Sequence, residues 1–288
     1  MTTESSPWRS ALRALARDRS ATFGLVILAA LAVVAVGARA IAPYDPFAQP
    51  DIIGMQRLSP SLAHPFGTDQ YSRDVLTRII HGARVSLSIA FLSVFVAASV
   101  GTLYGAIAGY VGGMIDSVMM RIVDALLAIP RVLLLIAVAT LWNGVGMLGL
   151  VLMLGLTGWF GVSRLVRTLV ISAREDEFVT AARALGASHT RILVHHILPQ
   201  VVAPVLVAAT LAIGSVIIIE AGLTYLGMGV KQPYASWGNI FQDGMDDFPL
   251  SWWTAVFPGV ALIVTVLAVN LVADGLREAL SPRQLPAR

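Results

Sequence analysis

The chain has 288 residues, of which 57% are hydrophobic and only 13% are charged, and its formal net charge is +3. Soluble domains carry about 25% charged residues, so this composition excludes an ordinary soluble domain and makes a lipid bilayer the expected solvent for much of the chain. The lack of cysteine excludes disulfides and thiolate metal sites.

Six mainly apolar runs of 18 or more residues predict six membrane-spanning helices. In chain order they cover residues 21–42, 85–110, 114–142, 145–170, 201–229 and 253–273. The first run is longer than the roughly 7–15 residues of a signal-peptide core, so we interpret it as an uncleaved first transmembrane helix. The predicted fold class is an all-α membrane protein, a bundle of six transmembrane helices.

The distribution of arginine predicts the orientation of these spans. Arginines precede the first span in residues 1–20, cluster around the segment 172–199 and follow the last span in the tail 275–288. With six spans these three regions fall on one side, which we take as cytoplasmic, so both termini are predicted to be cytoplasmic. The arginines lie between apolar runs and not along one face, so no nucleic-acid partner is expected.

Two outer loops are expected. Residues 43–84 precede a core of five helices, 85–274, and contain four arginines offset by four aspartates. Apolar residues at helical spacing in 75–80 predict a short amphipathic helix lying on the membrane surface, with Arg73, Asp74 and Arg78 on its polar side. The second loop, about 230–252, carries Trp237, Trp252 and Trp253, which predict an aromatic belt at headgroup level, with a substrate-sensing role as the alternative.

The segment 172–199 is too polar to span the membrane. Ser172 and Glu175 fit a capping box that would start a helix, Gly186 is placed to end it in the left-handed conformation, and Ser188 can cap a second helix leading to Pro199. The small residues Ala181 and Ala182 at the exposed centre would allow close approach to a groove on a soluble partner. The alternative is an amphipathic helix on the bilayer, against which the acidic residues argue.

Three ionisable residues are expected at membrane depth within the predicted spans, where charge is costly and therefore points to function. Asp124 and Arg131 are about two turns apart in the third span, and Glu220 lies toward the outer end of the fifth. They are candidates for lining a transport pathway or a gate. The alternative is that they form pairs within the bundle.

Several catalytic motifs are missing. The sequence contains no G-x-x-x-x-G-K-[ST] phosphate-binding loop and no H-E-x-x-H metal motif. His195 and His196 are neighbours, which point to different faces of a helix and chelate a metal poorly. We therefore expect no catalytic residue, no metal site and no cofactor on this chain.

The segment 172–199 resembles the ATPase-coupling loop of binding-protein-dependent ABC importer permeases. In that family Glu-Ala-Ala, a glycine four residues after the last alanine, and a later Leu-Pro mark the loop. The corresponding residues here are Thr180, Ala181, Ala182, Gly186, Leu198 and Pro199. Thr180 replaces the motif's glutamate, which affects the salt bridge usually assigned to that residue more than the docking. Glu177, one turn earlier, offers a carboxylate on the same face.

Most of the chain resembles the C-type subunit of dipeptide and oligopeptide permeases. The matching blocks are HPFGTD at 64–69, RDVL at 73–76, GARVSL at 82–87, GYVGG at 109–113 with Asp116 and Met120-Arg121, AIP at 128–130, EAGL at 220–223, LGMG at 226–229 and SWGN at 236–239. Several ordered blocks at consistent spacing are far more specific than one motif. Related permeases import nickel, glutathione or oligosaccharides, so the resemblance leaves the substrate open.

The resemblance implies a type I ABC importer permease in the bacterial inner membrane that forms half of a pathway for peptides. Its implied partners are a homologous second permease subunit, two ABC ATPase subunits and an extracytoplasmic substrate-binding protein. One rival is a stand-alone secondary transporter, which predicts inverted repeats and several carboxylates near the midplane; no clear repeat is present. A second rival is a membrane scaffold that recruits a soluble enzyme without transport.

Overall fold

A computed structural model describes residues 13–142 and 145–280 of the chain. Within these residues the secondary structure is almost entirely helical, and the single β-type contact is an isolated antiparallel bridge between Thr68 and Asp74. Most of the predicted segment 1–20 and most of the tail 275–288 lie outside the described residues.

Eleven helices are numbered here in chain order over the described residues. They are α1 Arg19–Val36, α2 Ala38–Ile41, α3 Val75–Val111, α4 Gly113–Leu127, α5 Arg131–Leu141, α6 Met147–Arg174, α7 Glu177–Ala184, α8 His189–Arg191, α9 Leu198–Tyr225, α10 Trp237–Asp246 and α11 Trp253–Leu280. A π-helical segment, Ile192–Ile197, joins α8 to α9. Five stretches are long and apolar enough to cross a membrane: α1, α3, α6, His189–Tyr225 and α11.

A pair of shorter helices is apolar enough to form a sixth candidate crossing if the two count as one span. The helices α4 and α5 are bent by 81° relative to each other, and the break contains Pro130, which supplies no backbone N–H. Asp116 in α4 bonds Arg167 near the end of α6, whereas Arg131 in α5 bonds the Leu154 carbonyl nearer its start. The pair therefore runs antiparallel to α6 along its length. The described residues thus hold five candidate spans, or the predicted six if this bent pair is one broken span.

Glycine packing joins α3 to α6. A Cβ atom added to Gly101, Gly105 or Gly109 would lie within 2.3–2.7 Å of an α6 atom. These glycines recur every four residues and so share one face of α3, where their small size lets the two backbones approach closely. Successive glycines along α3 meet successively later residues of α6, so the two helices run parallel.

The bundle has two distinct ends. The end that carries α7, called the α7 end, holds the last turns of α3 and α6 and the start of α9, which share a buried cluster including Ala106, Val170 and Val201. The other end, called the α10 end, holds residues 42–74, the start of α3 and the start of α11. Trp253 in α11 donates to the Thr68 carbonyl there, at 3.0 Å.

The start of α3 differs from the prediction for residues 75–84. Asp74 accepts the Thr77 amide hydrogen at 2.7 Å and caps a helix that continues for 37 residues. The separate surface helix predicted at 75–80, and the extension of the loop to residue 84, are therefore wrong. Arg73 and Arg78 were expected to face water but are buried, because the nearby Asp69 and the distant Asp243 neutralise them.

Candidate functional site

The α7 end carries a helix–glycine–helix arrangement, residues 177–199, called here the α7 unit. Gly186 has φ +80°, its amide donates to the Arg183 carbonyl, and the Ala187 amide donates to the Ala182 carbonyl at 3.1 Å. These two bonds form the Schellman motif, in which glycine is preferred because it has no Cβ. The left-handed glycine predicted at Gly186 is confirmed.

The start of the α7 unit lies later than predicted. Helix α6 continues to Arg174, so Ser172 lies inside it, and the N-cap of α7 is Asp176. The capping box proposed for Ser172 and Glu175 is wrong, because packing of α6 extends that helix past the predicted boundary. The cap at Ser188 is confirmed: its hydroxyl accepts the Arg191 amide hydrogen at 3.4 Å.

The second half of the unit is not an independent helix. After α8 the backbone passes through the π-helical segment directly into α9, with Pro199 in the first turn of α9. Proline fits there because an early helical position needs no N–H. Rotation of the unit about a flexible joint at this point is therefore opposed by a continuous helical backbone.

Apolar contacts fix the α7 unit to the bundle. Val179, Ile192 and Ile197 are fully buried in one cluster with Val166 and Val170 of α6. A hydrogen bond of 3.0 Å between the Tyr110 hydroxyl and His189 adds a polar tie to α3. The unit is thus seated on the ends of α3 and α6.

The opposite face of the unit is open. The residues singled out from the sequence divide into exposed ones, Glu177, Thr180, Ala181, Gly186 and Pro199, and half-buried ones, Ala182 and Leu198. Glu177 and Thr180 are three residues apart and so are neighbours on the helix surface. Leu185, beside Gly186, is 88% exposed. This face combines small, acidic and apolar side chains with no covering element in the described chain.

Asp124 and Arg131 do not come together. Asp124 is exposed and pairs with Arg164 of α6, whereas the guanidinium of Arg131 donates to the Leu154 carbonyl at 2.9 Å. The prediction placed them about two turns apart in one span, but the bend after Leu127 puts them on two separate helices. Arg131 is half-buried beside a small cavity of about 40 Å³.

Glu220 is fully buried inside the bundle. Its carboxylate accepts from Thr224 at 3.0 Å and from Ser86 of α3 at 3.4 Å, and Ser86 in turn accepts the Trp237 amide hydrogen at 3.1 Å. The carboxylate therefore ties α9 to α3 and α10. In this conformation it faces neither the surface nor an open pathway, which corresponds to the alternative of a pair within the bundle.

A buried ion-pair network at the α10 end was not anticipated from the sequence. Asp69 accepts from Arg73 at 2.7 Å and from Arg78 at 2.6 Å, and Asp243 of α10 accepts from the same two arginines at 2.9 and 3.0 Å. Arg78 and Asp69 are each 1% exposed in their side chains. The only sequence signal was the balance of arginine and aspartate in residues 43–84. The network clamps residues 42–74 to α3 and α10.

A second ionic contact holds the same segment. Arg57 donates to Asp247 at 2.7 Å, and Ser251 donates to the same carboxylate. Burial raises the pKa of Asp247, but the hydrogen bonds from Arg57 and Ser251 outweigh it, so the pKa lies below its ordinary value. The carboxylate therefore keeps its charge, and the clamp extends to the loop after α10.

Two of the three tryptophans at this end, Trp237 and Trp253, pack inside the fold and do not form an aromatic belt. Trp237 is fully buried and donates to the Ile79 carbonyl, and Trp253 is 7% exposed. Trp252 alone among the three is largely exposed, at 49%. The prediction of a headgroup-level belt is therefore wrong for Trp237 and Trp253, because both indoles donate to backbone carbonyls inside the fold.

Comparisons with known proteins agree with these features. Residues 101–285 match the model of the family described as "Binding-protein-dependent transport system inner membrane component", and residues 6–60 match the "N-terminal TM domain of oligopeptide transport permease C". The dipeptide transport system permease protein DppC of Alkalihalophilus pseudofirmus is 39% identical over 279 residues, covering 96% of this chain and 90% of that protein. The oligopeptide transport system permease protein OppC of Haemophilus influenzae is 36% identical, covering 96% and 89%.

A solved structure shares the fold. It is an inward-facing form of the MetNI methionine ABC transporter, with a TM-score of 0.55 and 18% sequence identity. The match covers 72% of this chain and 97% of the transporter chain. The bundle thus has the same fold as that transporter chain. The match of one family model to more than half of the sequence, together with relatives that cover nearly all of it, places the chain in the family of binding-protein-dependent transport system inner membrane components.

Proposed function

We propose that this chain is one of two channel-forming permease subunits of an ATP-driven importer that carries di- or oligopeptides across the bacterial cytoplasmic membrane. The observation that carries the proposal is the α7 unit, which is firmly seated on the bundle on one face and open on the other. Such a surface suits a mechanical connection to a soluble partner, and the chain belongs to a family of transport components.

The partners at the α7 unit would be ABC ATPase subunits, one on each permease. Leu185 is 88% exposed and Phe178 37% exposed, so the unit offers two apolar side chains for contact with a partner. Ala181 allows a partner groove to approach the helix closely. Since the sequence has no phosphate-binding loop, ATP and Mg²⁺ would be held by these partners.

The seating of the α7 unit supports a coupling mechanism. ATP-driven closure of two ATPase subunits would draw two α7 units together. Because Val179 and Ile192 are packed against α6, that displacement would pass into the bundle and not be absorbed at the contact. The two permease halves would then rock between inward-open and outward-open states around a shared cavity.

The proposed orientation in the membrane rests on the distribution of arginines, and the proposed outer partner rests on the ion pairs that fix residues 42–74. The bias of arginines toward the α7 end supports a cytoplasmic position for that end and for both termini. The α10 end would then face an extracytoplasmic binding protein. Residues 42–74, fixed there by buried ion pairs, would offer it a firm landing surface. A homologous second permease subunit would complete the pathway, because one bundle of this size forms only half of it.

The peptide substrate is supported by the relatives. Proteins named as dipeptide or oligopeptide permeases align with nearly the whole chain at 34–39% identity. Delivery by a binding protein would place much of the selectivity outside this chain. Peptides are therefore the first substrates to test.

The test is isolation of the tagged chain from its native membranes in mild detergent, followed by mass spectrometry and by uptake assays on the reconstituted complex. We expect a homologous permease, one or two P-loop ATPases, and ATP-dependent uptake of labelled peptides with the cognate binding protein. Recovery of the chain alone or as a homo-oligomer would refute the proposal in favour of a secondary transporter. Partners that support uptake of nickel or oligosaccharide, and not of peptide, would refute the substrate class.

A further inference from the structure

A large cleft lies at the α10 end, apart from both the α7 unit and the buried ion-pair network. Its volume is about 710 Å³, and it lies between residues 39–47, one face of α3 and the first residue of α6. Pockets for small molecules have volumes of about 300–1,000 Å³. The cleft is therefore large enough for a short peptide.

The aromatic walls of the cleft are held in place by a hydrogen bond and by ring contacts. The Tyr44 hydroxyl donates to the Ala63 carbonyl at 2.7 Å, and its ring lies 5.0 Å from the ring of His64. Phe47 meets Tyr234 edge to face, with 6.4 Å between ring centroids. The cleft therefore has ordered walls. Residues 39–47 form one side of it, and the loop before α10 forms the other.

The charged groups of the cleft are of both signs. Arg39 and Arg84 line it and are exposed, and within the described chain neither of them has a hydrogen-bond or ion-pair partner. Asp45 is the carboxylate of the cleft; one oxygen accepts the Phe47 amide hydrogen at 2.7 Å, and the other is left available. Two unpaired guanidinium groups and one partly used carboxylate therefore face the same space.

One face of α3 forms a wall of the cleft. His81, Arg84, Ser88 and Leu92 line it, at spacings of three and four residues that keep them on one side of the helix. Eleven residues of helix correspond to roughly 16 Å. The lining changes along this distance from charged groups at the rim to apolar side chains at Leu92 and Met147.

We propose that this cleft is an entry site for a short zwitterionic peptide, whose terminal carboxylate pairs with Arg39 and Arg84 and whose ammonium group is directed to Asp45. A guanidinium fork matches the geometry of a carboxylate, and the tyrosine and phenylalanine rings provide contact area for side chains of any type. The inference rests on the proposed function and deepens it, since it places a substrate contact on the permease itself, at the end where a binding protein would release its ligand.

The first experiment is photolabelling of the complete transporter in liposomes. The probe is alanyl-p-benzoylphenylalanine, with a free carboxyl terminus, and the labelled positions are mapped by mass spectrometry. We expect label in residues 39–47 or 81–92, competed by alanyl-phenylalanine at concentrations at least tenfold lower than by its carboxamide. Label elsewhere in the complex, or equal competition by the two peptides, would overturn the inference.

Variants make the test specific to the arginines. The double change Arg39→Gln and Arg84→Gln should reduce labelling at least fivefold, and Arg39→Lys with Arg84→Lys should restore most of it, because the charges return. Arg121→Gln is the matched control: it removes an exposed arginine of α4 outside the cleft and should leave labelling unchanged. Unchanged labelling in the Gln double variant, purified with its partners to show assembly, would overturn the inference.

Lipid headgroups offer the same oxyanion chemistry, so the labelling is repeated in phosphatidylcholine liposomes with and without phosphatidylglycerol. Independence from phosphatidylglycerol supports the peptide site, and displacement of the probe by this anionic lipid would assign the arginines to the bilayer. Uptake of radiolabelled alanyl-phenylalanine is measured on the same samples. Uptake without cleft labelling defeats this inference alone, whereas no uptake of any peptide defeats the proposed function as well.

Discussion

Arg73 and Asp243 are 170 positions apart in the chain, yet their side chains meet at 2.9 Å in a nearly buried ion pair at the α10 end. The contact joins the segment before α3 to α10, and Arg78 and Asp69 complete it. Burying such charges costs desolvation free energy. The loss of one partner then lowers the stability sharply, because the other charge is left buried and unpaired. The network therefore fixes where residues 42–74 sit without necessarily raising the total stability.

Neutralising Asp69 should destabilise this clamp. Asp69→Asn keeps the size of the side chain but leaves the guanidinium groups of Arg73 and Arg78 with one carboxylate between them, at an expected cost of about 3–5 kcal/mol. Thermal unfolding of the purified chain and protease cleavage within residues 42–74 would measure it. Asp124→Asn is the matched control, because it breaks an exposed pair with Arg164 and should cost less than about 1 kcal/mol. Equal effects would contradict a structural role for the clamp.

Gly186→Val should uncouple transport while the chain stays in the membrane. A β-branched residue at φ +80° is strained by about 1–2 kcal/mol or more, and relief of that strain would disrupt the turn after α7. We expect peptide uptake by the reconstituted complex to fall at least tenfold, with a reduced yield of co-purified ATPase. Gly186→Asn tolerates the left-handed conformation and should retain most uptake. Normal uptake in the Val variant would rule out a coupling role for this turn.

Gly105→Ala should destabilise the bundle. The added Cβ would lie 2.3 Å from the Ser163 carbonyl oxygen, and forcing the two helices apart costs about 1–3 kcal/mol, more than the helix-propensity gain of up to about 1 kcal/mol. Gly161→Ala in α6 is the control, since its Cβ would meet nothing within 4 Å. The thermal unfolding midpoints should therefore move in opposite directions or differ clearly. Two equal midpoints would show that α3 and α6 are not packed as described.

Glu220→Ala should lower stability, and Glu220→Gln should do so much less. Alanine leaves the buried hydroxyls of Ser86 and Thr224 without their acceptor, at a cost of about 1–3 kcal/mol, whereas glutamine retains a carbonyl oxygen that accepts from Thr224. Stability and peptide uptake are measured for both variants. If Glu220→Gln abolishes uptake at unchanged stability, the carboxylate lines the pathway in another conformation, and its role is not the tie between α9 and α3.

The spans and the turn at Gly186 were predictable from the sequence because both depend on local chemistry. Apolar runs such as that of α1 are recognised by length, and a glycine after a short helical pattern requires no knowledge of distant residues. The boundaries were less predictable: α3 starts at Val75 and not near Val85, since its first turns carry charges that only tertiary folding neutralises. The two-turn spacing of Asp124 and Arg131 likewise did not predict their relative position, because the chain bends between α4 and α5.

The sequence by itself was enough to identify a membrane protein, to predict six spans and to locate a polar helix–glycine–helix segment between two of them. Composition, hydropathy and φ-dependent glycine preference act over a few residues, so they can be read along the chain. Only the tertiary structure decided that α3 and α6 run parallel on a glycine seam, that Asp69, Arg73, Arg78 and Asp243 converge, and that Glu220 is sealed inside. These depend on which distant residues share a small volume, where burial and charge neutralisation set the energy.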